Sequence, residues 1–349
     1  MRHAGLAAGV CSACASEPDP HQLGRRGADI IGGELGDAAE LNHTGGLVRI
    51  DPETLEPELF CTATLIGPET VVTAKHCTRR LAEYAARGFD LAWLAGPSVA
   101  APVEIIPIVA AVEAPANQGG FVGLGQDVAV VHLEHPTSIP PAVPTLLTSA
   151  EIGQSMLSIG YGMFTVDGDQ DGQRRVGHET VIATEGRTFE AMFGSFENFV
   201  EWALTGQTTS EDILLAFSPG DLLGALILAS YRRDFDSQLL LEGHEAVTGR
   251  APGDTQSCSG DSGGPLARLT LDGTWQTFGV VSGGLYSARS VCDYGTVFST
   301  FGPESLAFVR AELEGRAPPP PSDAGAPDPA APSDAAAPSD AAAPNAQAP

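Results

Sequence analysis

Residues 260–265 read GDSGGP, a motif in which glycines surround a single serine, Ser262. A nucleophilic serine must present its hydroxyl on a tight turn, beside backbone N–H groups that are free to bind an oxyanion. Glycines permit both the turn and the close approach of a substrate. Read only as G-x-S-x-G, the motif also fits the strand-to-helix turn of the α/β-hydrolase fold. The motif therefore predicts a reactive serine and restricts the chain to a small number of folds.

The positions of the histidines decide between these folds. In the α/β-hydrolase fold, the acid and then the histidine follow the serine along the chain. The last histidine of this chain is His244, which precedes Ser262. No base follows the serine, so the α/β-hydrolase interpretation fails and the base must lie upstream.

Two upstream segments contain a suitable base and acid. His76 lies in the segment TAKHC at the end of an apolar stretch, and Asp127 opens the segment DVAVVHL. With Ser262 in SCSGDSGGPL, the three motifs follow the order histidine, aspartate, serine. Over residues 30–315, this arrangement resembles the trypsin/chymotrypsin family of serine peptidases.

The resemblance implies an all-β fold of two antiparallel β-barrels with the site in the cleft between them. It implies that His76 is the base, that Asp127 orients it, and that Ser262 forms an acyl-enzyme. The backbone N–H groups of Gly260 and Ser262 would bind the oxyanion. Two alternatives stay open: a non-catalytic binding or adhesion module on this scaffold, and an esterase.

Short apolar segments broken by glycine and proline predict β-strands over most of the chain between residues 30 and 316. Residues 188–236 differ, because they combine apolar residues at helical spacing with capping patterns at 208–211 and 218–221. We predict a helical insertion there, in the second half of the fold. A lid, a docking surface and a neutral decoration remain open as its role.

Four of the six cysteines lie in the body of the chain, and their even number favours disulfides and an oxidising compartment. The family resemblance implies two pairs, Cys61 with Cys77 and Cys258 with Cys292.

The ends of the chain differ from its body in composition. Residues 1–15 combine a basic start, a short apolar run and small residues at a cleavage site, which predicts a truncated export signal. The protein is then secreted or extracytoplasmic, and a lipid anchor on Cys14 is the alternative. Residues 16–29 are predicted to be a propeptide. Residues 317–349 are rich in proline, alanine and aspartate, and we expect a disordered tail.

Residues 30–33 read IIGG and resemble the mature N-terminus of the family. In that family, the freed α-ammonium pairs with the acid before the nucleophile, here Asp261, and this ion pair shapes the oxyanion hole and the pocket. Cleavage before Ile30 would therefore activate a zymogen. Because Asp29 stands where the family often has arginine, we expect another protease or stepwise trimming rather than self-activation.

The residue six positions before the nucleophile lines the pocket base in this family, and trypsin-type enzymes have an aspartate there. Gln256 occupies that position, with Ser257 beside it, which argues against a strong preference for Arg or Lys. Asp254 and Asp293 remain candidate sources of charge. The strand edge that would pair with the substrate backbone comprises Ser282, Gly283 and Gly284.

The balance of 18 basic against 44 acidic residues leaves no basic surface for nucleic acid. No stretch reaches the roughly 18 apolar residues of a membrane span. Residues 167–172 match the opening of a calcium loop through Asp167, Asp169 and Asp171, but His178 stands at its twelfth position. A solvated acidic turn is the better interpretation, and no cofactor is required. We expect a monomer acting on proteins or peptides.

Overall fold

The computed structural model describes residues 29–115, 118–165, 169–205, 222–286 and 291–315. The predicted export signal, the propeptide up to residue 28 and the tail lie outside the described residues. The same holds for Asp167 and for the capping patterns at 208–211 and 218–221.

The first half of the chain forms a closed, six-stranded antiparallel barrel in the order β2-β3-β4-β7-β6-β5. Its strands bury Leu47, Val71, Trp93 and Val130 in one continuous apolar core. The strands up to the end of this barrel are β1 (Glu34–Leu35), β2 (Thr44–Ile50), β3 (Pro57–Gly67), β4 (Thr70–Thr73), β5 (Asp90–Ala95), β6 (Glu104–Glu113) and β7 (Ala129–Leu133).

The second half forms another closed barrel, in which β10-β11-β14-β13-β12-β9 is completed by pairing of β9 with β10. Strand β1 pairs with the edge of β10, and β8 runs parallel to β13. The predicted fold of two antiparallel barrels is thus confirmed. The remaining strands are β8 (Val143–Pro144), β9 (Ser155–Gly160), β10 (Arg175–Ala183), β11 (Glu245–Thr248), β12 (Pro265–Leu269), β13 (Trp275–Tyr286) and β14 (Val291–Thr300).

Among the described residues, the predicted insertion contains the helices α3 (Thr188–Phe193), α4 (Phe196–Thr205) and α5 (Leu222–Ser237). Their inner faces form an aromatic core that packs against Val247 and Val297 on the second barrel. The insertion therefore extends the second barrel's apolar packing. Its aromatic core includes Phe189, Phe193, Phe196, Phe199 and Phe235.

Two substantial helices lie outside the predicted insertion, where we expected strands and turns only. Helix α2 (Lys75–Ala86) buries Cys77 and Leu81 against the first barrel, and α6 (Pro303–Leu313) buries Leu306 and Val309 there. Both are short amphipathic helices whose stability comes from tertiary packing. A single distorted turn, α1 (Asp29–Gly32), precedes β1. In the described part of the chain, no helix is both long and apolar enough to cross a membrane.

Candidate active site

His76 and Asp127 are brought together by the first barrel. His76 lies in the first turn of α2, directly after β4, and Asp127 lies just before β7. Because β4 pairs with β7, the two side chains emerge at the same edge of the barrel. The Nδ1 atom of His76 lies 2.9 Å from Oδ2 of Asp127, and the backbone N–H of His76 donates to Oδ1 at 2.9 Å.

The second barrel contributes a further donor to the same carboxylate. The hydroxyl of Ser282, on β13, donates to Oδ2 of Asp127 at 2.6 Å. Asp127 is completely buried, and burial alone would raise its pKa. The hydrogen bonds and charge of His76, together with the Ser282 hydroxyl, outweigh burial, so the pKa of Asp127 lies below its usual value. Asp127 is therefore ionised at neutral pH.

Ser262 lies on the loop before β12, and the first barrel holds this loop through Thr62 on β3. The N–H of Thr62 donates to the Ser262 carbonyl at 2.8 Å, and its hydroxyl donates to the Gly260 carbonyl at 2.8 Å. The sulfur of Cys77, next to His76, lies 3.7 Å from the Ser262 carbonyl oxygen. The serine is thus adjacent to the histidine segment. Within the described residues, its hydroxyl makes no hydrogen bond to His76; such bonds often tighten only when substrate binds.

The backbone of the serine loop leaves two donors free. Among the described residues, the N–H groups of Asp261, Gly263 and Gly264 donate to backbone carbonyls, whereas those of Gly260 and Ser262 have no acceptor. Gly260 and Gly263 adopt φ angles of 99° and 83°, in the left-handed region. A Cβ atom at position 263 would lie 2.3 Å from the Thr62 carbonyl oxygen. The loop conformation that leaves the two donors free thus requires glycine.

Asp261 lies beneath this loop and is completely buried. Its two carboxyl oxygens accept from the N–H groups of Gly162, at 2.7 Å, and Cys258, at 2.8 Å. Burial raises the pKa of Asp261 to about 7 despite these bonds. Ile30 is buried as well, and the next residue, Ile31, accepts from the N–H of Gln256 at 3.0 Å. The segment expected to form the mature N-terminus therefore lies against the loop that carries Asp261.

The trypsin family model matches residues 30–196, which include His76 and Asp127. Over residues 30–196, the chain belongs to the trypsin-like serine peptidase family. The match ends within the helical insertion and before Ser262. No curated protein matches the chain.

In this trypsin-family chain, both implied disulfides are formed, Cys61 with Cys77 and Cys258 with Cys292. The first joins β3 to α2 directly beside His76. The second joins the serine loop to β14. Their pairing confirms the prediction and connects both halves of the candidate site to their barrels.

The predicted specificity residues lie together on the second barrel. The side-chain amide of Gln256 donates to the Gly249 carbonyl and accepts from the N–H of Gly295 at 2.6 Å, so it bridges two neighbouring segments. Gly283 and Gly284 lie on β13, and a Cβ at position 283 would lie 3.2 Å from Phe121 of the first barrel. Phe121 thus covers the strand edge predicted to bind the substrate backbone.

Three other predicted acids have structural partners. Asp254 accepts from the N–H and hydroxyl of Thr180 at 3.1 and 2.9 Å. The carboxylate of Asp171, in the candidate calcium loop, is paired with Arg175 at 2.5 Å, and Asp169 accepts from the Thr165 hydroxyl at 3.0 Å. Calcium therefore remains only an expectation. In the described part of the chain, one further group could be considered as a metal site, because ligand atoms of Cys61, His76 and Cys77 lie within 4.8 Å of one another. The sulfurs of Cys61 and Cys77, however, form a disulfide with each other.

Sequence reasoning missed two groups at this site. Ser282 was predicted only as part of the strand edge, yet its hydroxyl contacts Asp127. Glu179, on β10, was not singled out at all, although its side chain is completely buried and accepts from the Ser257 hydroxyl at 2.7 Å. The available signal was the alternation along β10, which places Glu179 on the same buried face as Gly177 and Val181.

Proposed function

We propose that this chain is a secreted serine endopeptidase that hydrolyses peptide bonds through an acyl-enzyme on Ser262. The observation that carries the proposal is the ionised, completely buried Asp127 at 2.9 Å from His76, next to a serine loop with two free N–H groups. The two disulfides support an oxidising, extracytoplasmic location.

The proposed reaction uses each of these groups in turn. Asp127 accepts a hydrogen bond from the Nδ1–H of His76, which leaves Nε2 as the base for the Ser262 hydroxyl. As Oγ attacks the scissile carbonyl carbon, the proton moves to Nε2, and the N–H groups of Gly260 and Ser262 bind the oxyanion. His76 then protonates the leaving amine, and a water molecule hydrolyses the acyl-enzyme with His76 again as base. These are the roles that the resemblance to the trypsin/chymotrypsin family implies for the three residues.

We further propose that the chain is made as a zymogen and is activated by cleavage before Ile30. The new α-ammonium would pair with Asp261, whose buried carboxyl accepts from the backbone N–H groups of Gly162 and Cys258 in the uncleaved chain. An ion pair there would hold the serine loop in the conformation that leaves the two oxyanion donors free.

Fluorogenic peptides and matched esters would test the function directly. The protein cleaved before Ile30 should hydrolyse both, and S262A should abolish both while retaining the wild-type circular dichroism spectrum. Hydrolysis of esters alone would favour the esterase alternative. A folded, cleaved protein that hydrolyses neither substrate would contradict the proposal and favour a binding module.

A further inference from the structure

Residues 119–125, which read GGFVGLG, form a loop that ends two residues before Asp127. The four glycines of this loop all have φ angles between 67° and 81°, in the left-handed region that glycine adopts without steric cost. The N–H of Gly125 donates to the Gly119 carbonyl at 2.9 Å, so the two ends of the loop meet. Asp127 is held separately by its own hydrogen bonds. The loop can therefore move as a unit about its glycine ends while Asp127 stays in place.

The loop lies over part of β13. A Cβ atom at position 283 would lie 3.2 Å from a side-chain atom of Phe121 and equally far from one of Val122. Strand β12 pairs with β13 only up to Val280, so the described strands leave this edge of β13 unpaired from Ser282 onward. An extended peptide binds to such an edge by adding a strand to the sheet. In the observed conformation, Phe121 and Val122 restrict the access of a peptide to this edge.

Glu245 holds the loop in this position. It is the first residue of β11 and is only 1% exposed. Its Oε1 atom accepts from the N–H of Phe121 at 2.6 Å, and its Oε2 atom accepts from the N–H of Leu241, in the segment between α5 and β11, at 2.8 Å. A Cβ atom at position 120 would lie 2.5 Å from Oε1, so this close approach requires glycine. A single carboxylate thus joins the loop to the segment that leaves the insertion.

The side chain of Phe121 makes a second connection to the insertion. It packs against the aromatic core of the insertion, in the cluster that contains Phe193 and Phe199. The side-chain amide of Gln238, the first residue after α5, donates to the Gly120 carbonyl at 3.4 Å. Because an N–H group, a carbonyl and a side chain of the loop all contact this part of the chain, any movement of the loop must break contacts with it. These contacts therefore set how easily the loop moves.

We propose that loop 119–125 is a gate over β13 and that Glu245 is the positioning residue that keeps the gate closed until an extended peptide displaces it. This inference rests on the proposed peptidase function and gives the helical insertion a role in substrate entry. A peptide that reaches β13 must free the Phe121 N–H from Glu245, whereas a substrate too short to reach β13 meets no gate. The closed population then lowers the apparent affinity for extended peptides alone.

The test, on the protein cleaved before Ile30, compares a tetrapeptide amide that extends along β13 with a single-residue amide. Both carry the same residue before the scissile bond and the same fluorogenic group. E245Q keeps one acceptor oxygen and places an NH2 group against the other N–H donor, so one of the two hydrogen bonds is lost. The open population should rise, and KM for the tetrapeptide should fall about tenfold with kcat unchanged. Both parameters for the single-residue amide should keep their wild-type values, and their measurement reports on the peptidase function by itself.

F121A provides a second variant, because it removes the side chain that lies against β13 and leaves Glu245 in place. It should lower KM for the tetrapeptide in the same selective way. The matched control is E312Q, which alters the carboxylate of α6 that pairs with His132 of β7 at 3.1 Å, and it should leave both substrates unchanged. A merely structural role of Glu245 would lower the activity on both substrates alike. Such equal losses, or an unchanged KM for the tetrapeptide in E245Q, would overturn the proposal.

Hydrogen exchange of the cleaved S262A protein, followed by mass spectrometry, separates this proposal from the peptidase function. This variant forms no acyl-enzyme, so only binding is observed. A saturating concentration of the tetrapeptide should speed amide exchange in residues 119–125 about tenfold or more, because the peptide releases the Phe121 N–H, and the single-residue amide should not. The same exchange should be faster in E245Q without any peptide. Unchanged exchange with the tetrapeptide would overturn the gate, whether or not Ser262 reacts and whether or not E245Q folds.

Discussion

The two barrels each place a completely buried aspartate at the candidate site, yet burial has opposite outcomes for the two. Asp127, from the first barrel, accepts from His76 and Ser282, and its pKa is lowered. Asp261, from the second barrel, accepts from two backbone N–H groups among the described residues, and burial raises its pKa to about 7. The partners of a carboxyl group, rather than its burial, decide whether it carries a charge.

The two halves of the candidate site thus differ in whether the groups that the proposed reaction needs are already paired. The half from the first barrel already has its hydrogen bonds in the uncleaved chain. The half from the second barrel contains two buried acids, Asp261 and Glu179, and burial raises the pKa of both carboxyl groups to about 7. In our account, cleavage before Ile30 supplies a cationic partner for Asp261.

The largest expected effect comes from removing the charge of Asp127, in the half of the candidate site that the first barrel contributes. D127N should lower kcat/KM by about 10⁴-fold, the size known for the equivalent change in this family, because His76 then adopts the wrong tautomer. Steady-state kinetics on a peptide substrate measure this loss. A near-wild-type rate in a folded D127N protein would show that Asp127 does not orient the base.

The second effect should depend on cleavage. In the cleaved protein, D261N should lower kcat/KM by about 10²-fold, comparable to the loss of one oxyanion donor. In the uncleaved chain, the same substitution should change the residual activity little, because no ion pair exists there to lose. Measuring kcat/KM of wild type and D261N before and after cleavage tests this. Equal losses of kcat/KM in the two forms would contradict the proposal that Asp261 acts only after cleavage.

A smaller effect should follow from the contact that joins the barrels at Asp127. S282A removes the 2.6 Å hydrogen bond to Oδ2, so kcat/KM should fall about tenfold, as expected for one bond to a charged group. The pKa of the Asp127 carboxyl, followed by NMR at low pH, should rise, because this bond lowers it. Recovery by S282T, which keeps the hydroxyl, is the control, and an unchanged pKa of Asp127 in S282A would contradict the role of this bond.

The smallest expected effect is on stability. A carboxyl group whose pKa is raised by folding stabilises the fold fully below its unfolded pKa, and this contribution is lost as pH rises through the folded value. For Asp261, that window runs from 3.8 to about 7. The Tm of the uncleaved chain should therefore fall as pH rises over this range. The Tm of the cleaved chain should fall less, because the α-ammonium of Ile30 pairs with Asp261.

Scanning calorimetry of both forms at several pH values checks this prediction. The difference in Tm between cleaved and uncleaved chains should grow with pH, reaching on the order of 5 °C at neutral pH. In D261N the two forms should show the same pH dependence. Parallel curves for the two wild-type forms would contradict the proposed ion pair.

The sequence was most informative where chemistry is confined to short motifs. The motifs around His76, Asp127 and Ser262 carried the resemblance to the trypsin/chymotrypsin family, and that resemblance implied the two-barrel fold and both disulfides. Two elements were missed for a different reason. Helices α2 and α6 are stabilised by packing on the first barrel, and their sequences have no N-cap side chain to mark their starts.

The contacts between distant segments were also beyond local patterns. Ser282 and Asp127 are separated by 155 positions, and Glu179 and Ser257 by 78. Their contacts depend on how the barrels close and meet, which a single sequence does not encode in any short window. The roles of the predicted catalytic residues, the pocket and the calcium loop remain predictions for experiment.

Labelling with a fluorophosphonate probe tests the central claim most directly, since the probe reacts only with an activated serine. We predict rapid modification of Ser262, identified by mass spectrometry, in the chain cleaved before Ile30, and slow or no modification in the uncleaved chain. The S262A protein should remain unlabelled. A folded, cleaved protein in which Ser262 stays unmodified would contradict the account, and equal labelling of both forms would contradict the proposed activation.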